Sequence, residues 1–289
     1  MTESASNKVD VRCAEEKEES FLGIIVEIFR EHKNNLVPIL EMAKTDFIKT
    51  YRGAALGWSW GLIKPGVRLF IYWFAVVLGL KAGRAHGDIP YFAFLFSGMV
   101  PWFYMQDMLN QGTGIFRKYS HLITKMRFPV STIPTFFSIS HLLTHLFLLI
   151  ICIVVITAQG FALDLYTLQL IPTIILMFIF FDAWALFGST LGALSRDFMH
   201  LVSSFTMAFF WLSGIFFDID GLSNKILREV LSWNPISFIV SSYRKALIYK
   251  EWIWDDMTSV YKFLIMMGIM IIAALWLYRK TRKDIADVI

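Results

Sequence analysis

The chain has 289 residues, of which 56% are hydrophobic and only 17% are charged. Soluble domains carry about 25% charged residues, so this composition argues against a soluble domain and predicts an all-α integral membrane protein. The net charge of +4 is small, and we expect no nucleic-acid partner.

The first 56 residues divide into a polar tail and an amphipathic region. Residues 1–20 are rich in glutamate, which predicts a disordered cytoplasmic tail without a signal peptide. Residues 21–56 predict an amphipathic interfacial region that lies in the membrane surface. Its apolar residues recur at helical spacing, and the predicted lipid-facing stripe is Leu36, Leu40, Ala43, Phe47 and Tyr51. Four charged residues lie largely off this stripe: Glu41, Lys44, Asp46 and Lys49.

Residues 57–289 form the predicted transmembrane domain. A helix needs about 20 apolar residues to cross a bilayer, and a run of 17 still reaches about 25 Å. Six runs meet this length, and the six predicted transmembrane helices are 58–80, 91–109, 133–158, 170–194, 201–217 and 261–277.

The distribution of lysine and arginine predicts the orientation of these spans. Six spans put both termini on one side, and the segments on that side carry 19 of the 27 cations. The loop 159–169 on the opposite side carries none. Since cytoplasmic loops are enriched in lysine and arginine, we expect both termini in the cytoplasm.

The start of the first span combines tryptophans with two cations. Trp58 and Trp60 fit the membrane interface, where amphipathic rings are favoured. Lys64 and Arg68 lie further in, where they either reach back to water or face a protein cavity. Both interpretations stay open at this stage.

Several polar residues lie inside the apolar runs. Asp182 in the fourth run is expected to face the bundle interior, either at a cavity or in a structural pair with a histidine or hydroxyl. His141 and His145 share a helix face but lack a third zinc ligand, so we expect polar packing and no metal. Gly188 and Ser189 indicate a close helix contact better than a serine hydrolase.

The segment 218–260 before the last span is amphipathic and aromatic, and Asn234-Pro235 interrupts it. The residue before a proline is disfavoured in helical geometry. We therefore predict two short re-entrant helices that enter the outer leaflet without crossing it.

Four blocks of the chain occur in the order and spacing of a known family. They are DFIKTYRGAALGWSWGLIKP, FLFSGMVPWFYMQD with HLITKMRFP and Pro134, LGALSRDFMHL, and SWNPISFIVSSYRKALI. From about residue 37 to its end, the sequence resembles the permease subunits of type-2 ABC exporters that move polysaccharides such as O-antigen, teichoic acid or capsule. It departs from the family pattern at Ala54 and at SGIFFDID, 213–220.

The resemblance implies a permease subunit for an undecaprenyl-pyrophosphate-type glycan in the bacterial cytoplasmic membrane. The chain is then no enzyme and has no cofactor, because ATP and Mg bind a separate ABC ATPase, expected in two copies with two permease copies. The expected substrate path comprises Lys64, Arg68, Tyr72, Trp73, Trp102, Phe103, Tyr104 and Asp182. The expected ATPase-coupling residues are Arg117, Lys118, Lys125, Arg127, Phe128, Pro129, Arg196 and Asp197. The expected outer gate contains Trp233, Asn234, Pro235 and Arg244.

Three other functions remain as alternatives. An exporter of drugs or small lipids has the same general architecture. A lipid-modifying enzyme could use His141, His145 and Asp182, whereas a structural scaffold would leave Asp182 and the two inner cations unexplained.

Overall fold

A computed structural model describes residues 21–52, 55–79, 89–126 and 128–289. These residues form an all-helical structure without β-strands. The α-helices are α1 (Phe21–Asn34), α2 (Leu36–Tyr51), α3 (Trp60–Trp73), α4 (Tyr91–Asn110), α5 (Ile115–Lys118), α6 (Ser120–Thr124), α7 (Thr132–Ala158), α8 (Leu170–Leu194), α9 (Arg196–Leu212), α10 (Lys225–Ser232), α11 (Pro235–Arg244) and α12 (Met257–Val288). A π-helical turn, Phe74–Gly79, follows α3. The predicted tail, 1–20, lies outside the described residues.

Three helical segments of the described chain are long and apolar enough to cross a membrane. They are Thr132–Ala158, Leu165–Leu194 and Ile253–Ile285, which contain α7, α8 and most of α12. The other predicted spans correspond to α3, α4 and α9, which are shorter or more polar. The six-span topology therefore stays a prediction, while the helical class agrees with the sequence.

Helix α4 lies at the centre of the molecule. It packs against α3, α7, α8, α9 and α11, and 16 of its 20 residues are buried. A helix that is buried on all sides is expected to be apolar around its circumference, and α4 fits this rule. Its Gly98 lets the buried Arg244 of α11 approach closely, because a Cβ there would lie 2.7 Å from Arg244 Nη2.

Helices α1 and α2 occupy the region predicted to be interfacial, but the buried face of α2 differs from the predicted stripe. Leu36 and Leu40 are each 56% exposed, whereas Ile39 and Ala43 are buried with Asp46. This face packs on α7. The sequence pattern identified an apolar side of α2 but not the helix that it packs on, and lipid contact by the exposed leucines stays a prediction.

Polar contacts between helices and loops define two ends of the molecule. At one end, Arg282 Nη1 of α12 lies 2.5 Å from Glu27 Oε2 of α1, and Lys118 lies 3.5 Å from Asp46. We call this the basic end. At the opposite end, Lys250 Nζ lies 3.2 Å from Asp164 Oδ2, and Gln169 Nε2 donates to the carbonyl of Glu251 over 2.6 Å.

The segment before α12 contains two short helices, α10 and α11, which meet at Trp233–Asn234. Asn234 caps α11, because its side-chain oxygen accepts a 3.0 Å hydrogen bond from the backbone nitrogen of Ile236. Pro235 occupies the first helical position, where its missing N–H costs nothing. The break lies where the sequence predicts it, and entry into the outer leaflet stays a prediction.

Candidate functional site: a charged cavity and a basic end

Two cavities meet at Arg68 of α3. The first, of about 250 Å³, is lined by Trp60, Lys64 and Arg68 on one side and by residues of α2, α4 and α7 on the others. Lys64 and Arg68 lie one helical turn apart, so they project from the same face of α3. Both are exposed in the isolated chain, and the cavity wall therefore carries two cations.

An acid and an imidazole lie on the wall opposite these cations. His141 Nδ1 of α7 lies 3.3 Å from Asp107 Oδ2 of α4, and Gln111 Nε2 donates to Asp107 Oδ1 over 3.1 Å. All three residues line the first cavity. Sequence reasoning missed Asp107, although a carboxylate at the end of an apolar run was a visible signal.

The second cavity, of about 220 Å³, has an aromatic wall. Tyr72, Trp102 and Phe210 line it, and the ring of Phe210 lies 5.1 Å from Tyr72 and 5.2 Å from Trp102 between centroids. Arg68 and Phe103 line both cavities. Arg68 Nη1 donates a 3.1 Å hydrogen bond to Gln106 Oε1, and this contact lies where the cavities meet.

Most residues predicted for the substrate path come together here. Of the eight, six line one or both cavities: Lys64, Arg68, Tyr72, Trp102, Phe103 and Tyr104. Trp73 lines neither and packs edge-on against Phe92.

Asp182 also lies outside both cavities. Its Oδ2 accepts a 3.1 Å hydrogen bond from the hydroxyl of Thr135, which lies 2.8 Å from His32 Nε2 of α1. Asp182 is thus paired with a hydroxyl of a neighbouring helix, as one of the two interpretations expected, and its part in the substrate path stays a prediction.

His145 and the small residues of α8 hold helices together. His145 Nε2 lies 2.8 Å from the hydroxyl of Tyr243 in α11. A Cβ on Gly192 would overlap the carbonyl oxygen of Thr113, and one on Gly188 would lie 3.0 Å from the Thr113 methyl. The turn before α5 thus fits into a groove of α8, which agrees with the predicted close contact, and the buried Ser189 donates to the carbonyl of Leu186.

The loop 115–129 is attached to two helices. Arg117 donates to the carbonyls of Gly192 and Ala193 over 2.8 and 2.5 Å, so it satisfies free carbonyls at the end of α8. Lys118 donates to Asp46 Oδ1 over 3.5 Å, and the Tyr119 hydroxyl donates to the same oxygen. Burial raises the pKa of Tyr119 and the Asp46 carboxylate raises it further, so the hydroxyl keeps its proton at neutral pH.

The other predicted coupling residues differ in exposure. Lys125, Arg196 and Asp197 are exposed at the basic end. Phe128 packs against Phe136 of α7, and the carbonyl of Pro129 accepts a 2.7 Å hydrogen bond from Thr132 at the start of α7. Arg127 lies outside the described residues.

Among the predicted gate residues, Arg244 is the most buried, at 3% exposure. It donates to the carbonyls of Gly214 and Ile215 over 2.6 and 2.7 Å, and to Phe94 over 3.3 Å. Asn234 Nδ2 donates to Ser213 Oγ over 2.8 Å. These contacts tie α11 to α4 and to the turn after α9. Trp233 remains 40% exposed beside Lys262 of α12.

Comparison with known proteins gives a consistent result. The family model "ABC-2 type transporter" matches residues 38–248. The chain is 24% identical over 216 residues to the O-antigen export system permease protein RfbA of Myxococcus xanthus, covering 74% of this chain and 80% of that protein. It is 23% identical over 253 residues to an RfbA protein of Klebsiella pneumoniae, covering 87% and 94%. The polysialic acid transport protein KpsM of Escherichia coli is 24% identical over 197 residues, covering 67% and 74%.

Proposed function

The chain belongs to the ABC-2 type transporter family, and we propose that it is the permease subunit of a polysaccharide exporter in the bacterial cytoplasmic membrane. Its cargo is a lipid-linked glycan of the undecaprenyl-pyrophosphate type, such as O-antigen or a capsule or teichoic acid precursor. The names of its relatives, O-antigen export and polysialic acid transport proteins, support a glycan as the cargo.

The observation that carries this proposal is the pair of cavities that meet at Arg68. Lys64 and Arg68 provide two cations for a pyrophosphate, since arginine and lysine are the side chains that bind phosphate oxygens. The adjoining cavity offers aromatic rings and the amides of Gln106 and Asn110, which suit the apolar faces and hydroxyls of sugars.

The family implies an ABC ATPase as the energy source. We propose two copies of this ATPase and two copies of the permease, with ATP and Mg bound by the ATPase alone. The exposed residues Lys125, Arg196 and Asp197 at the basic end are the proposed docking positions. That end then faces the cytoplasm together with both termini, and the two short helices before α12 form part of an outer gate.

Substitution of Arg68 tests the head-group site. Losing a hydrogen bond between charged groups costs about 1.5–3 kcal/mol, so Arg68→Gln should reduce export per assembled complex by about tenfold or more. Export by Arg68→Lys should lie between that of the parent and that of Arg68→Gln, because lysine keeps the charge but lacks the planar arrangement of donors that arginine has. The measurement is transported glycan per mole of complex, with membrane abundance determined separately.

A matched control is Arg30→Gln, which removes an exposed arginine from α1 outside both cavities. It should export normally. Normal export per complex by Arg68→Gln would contradict the head-group role and leave Arg68 as a membrane anchor.

An exporter of drugs or small lipids is the second candidate, because the same cavities could hold a smaller amphiphile. Mass spectrometry of lipid bound to the complex in mild detergent separates the two. Recovery of a glycan-free lipid alone, together with normal glycan export in a deletion strain, would favour this second candidate.

A further inference from the structure

Asp46 is a buried acid on the face of α2 that packs on α7. It is 7% exposed, and its Oδ1 accepts from the hydroxyl of Tyr119 and the ammonium of Lys118. Within the described residues, Oδ2 is buried without a hydrogen-bond partner. Burying a carboxylate costs free energy unless it is paired, so we attribute the acid at this position to its contact with Lys118 and Tyr119.

The loop residues that bind Asp46 are adjacent to a residue that binds α8. Arg117, Lys118 and Tyr119 are consecutive, and Arg117 donates to carbonyls at the end of α8 while the next two residues bind Asp46. One short stretch of the loop thus connects α2 with α8. A displacement of the loop must move both helices or break these bonds.

Helix α2 connects the Asp46 contact with the first cavity. Phe47 follows Asp46, Thr50 lies one turn further along, and both line the cavity that contains Lys64 and Arg68. Because an α-helix moves largely as a rigid element, a shift at Asp46 changes the position of Phe47 and Thr50 by a similar distance.

We propose that Asp46 is a positioning residue that transmits movement of the loop 115–129 to the wall of the substrate cavity. The inference rests on the proposed function, since it assigns the loop to the ATPase side of the complex. In this proposal the loop moves first, the Asp46 contact passes the movement to α2, and the face of α2 that lines the cavity then changes position.

Conservative substitutions test the link. Asp46→Asn keeps an oxygen acceptor but removes the charge that Lys118 meets, and Tyr119→Phe removes the donor hydroxyl. Each variant should keep the ATPase bound and hydrolysing ATP. Because each loses one hydrogen bond to a charged group, the amount of glycan transported per ATP should fall by about tenfold. Glu41→Gln, the same chemical change at an exposed position of α2, is the control and should leave this ratio unchanged.

A second measurement does not depend on the cargo. In a chain with Cys13→Ser, a cysteine introduced by Thr50→Cys reports access to the cavity, and the natural Cys152 is buried. The probe is an impermeant maleimide, applied to the purified complex with ATP and without nucleotide. We expect ATP to change the labelling rate, and this change should disappear when Asp46→Asn is added.

Two outcomes would overturn the proposal. One is an unchanged ATP effect on labelling in the Asp46→Asn variant. The other is a loss of membrane abundance in both Asp46→Asn and Tyr119→Phe with a normal ratio of transport to ATP hydrolysis in the remaining complex, which would make the contact purely structural. A complex that responds to ATP through Asp46 but transports no glycan would contradict the proposed cargo and leave the link intact.

Discussion

At the scale of single residues, helical spacing predicted that Lys64 and Arg68 share one face of α3, but charge alone did not predict that Asp46 is buried. Lys64 and Arg68 are four residues apart, and this is sufficient to place them on one helix face. Asp46 was expected off the apolar stripe, yet it is buried because its partners come from residues about 70 positions further along the chain. A single sequence contains no signal for such a partner.

Gly192 gives a residue-scale prediction about packing. A Cβ there would overlap the carbonyl oxygen of Thr113, which cannot move away as a flexible side chain could. Gly192→Ala should therefore displace the turn before α5 and weaken the two hydrogen bonds from Arg117 to the end of α8. Overpacking of this kind costs about 1–3 kcal/mol, so the purified protein should unfold at a lower temperature in detergent.

Gly268→Ala in α12 is the control for this prediction, because nothing lies within 4 Å of the added Cβ. Alanine is the better helix former by about 1 kcal/mol, so this variant should be as stable as the parent or more stable. Equal unfolding temperatures for Gly192→Ala and the parent would mean that the turn does not depend on this groove.

At the scale of elements, the loop 115–129 divides into an inward part and an outward part. The sequence assigned its four cations a common role at the ATPase. The structure turns Arg117 toward the end of α8, joins the 47% exposed Lys118 to Asp46 of α2, and leaves Lys125 exposed. The pattern of positive charge identified the loop. It could not show that Arg117 binds the unpaired carbonyls at the end of α8.

This division predicts opposite effects for two substitutions. Lys125→Glu reverses an exposed charge, so it should reduce recovery of the ATPase with the permease and leave thermal stability unchanged. Arg117→Gln leaves helix-end carbonyls without their charged donor, so it should lower thermal stability by about 1–3 kcal/mol. Affinity purification and thermal unfolding in detergent measure the two effects, and the reverse pattern would assign the docking role to Arg117.

At the scale of the whole molecule, composition and the apolar runs predicted an all-helical membrane protein, and the described residues are helical without β-strands. The same reasoning predicted six membrane spans, whereas three helical segments of the described chain are long and apolar enough to cross a membrane. Helix α4 is enclosed by other helices and is largely apolar, but its last turns carry Gln106, Asp107 and Asn110, which lower its hydropathy. Hydropathy therefore recognises α7, α8 and α12, whose outer faces are apolar, better than the helix at the centre.

The two ends of the molecule give the last prediction, which concerns orientation. The basic end contains the loop 115–129, the turn at Arg196 and the end of α12, where Arg282 meets Glu27. Because cytoplasmic segments are enriched in lysine and arginine, a cysteine introduced at Lys125 or Asp284 should be shielded from an impermeant thiol reagent in intact cells.

The opposite end supplies the matched position for this experiment. Ala162 is exposed in the loop 159–169, which carries no lysine or arginine, and a cysteine there should react. A chain with Cys13→Ser removes the natural thiol of the tail, and labelling after permeabilisation confirms that each introduced cysteine can react. Labelling of Lys125→Cys in intact cells would place the basic end outside, and it would contradict both the six-span topology and the proposed site of the ATPase.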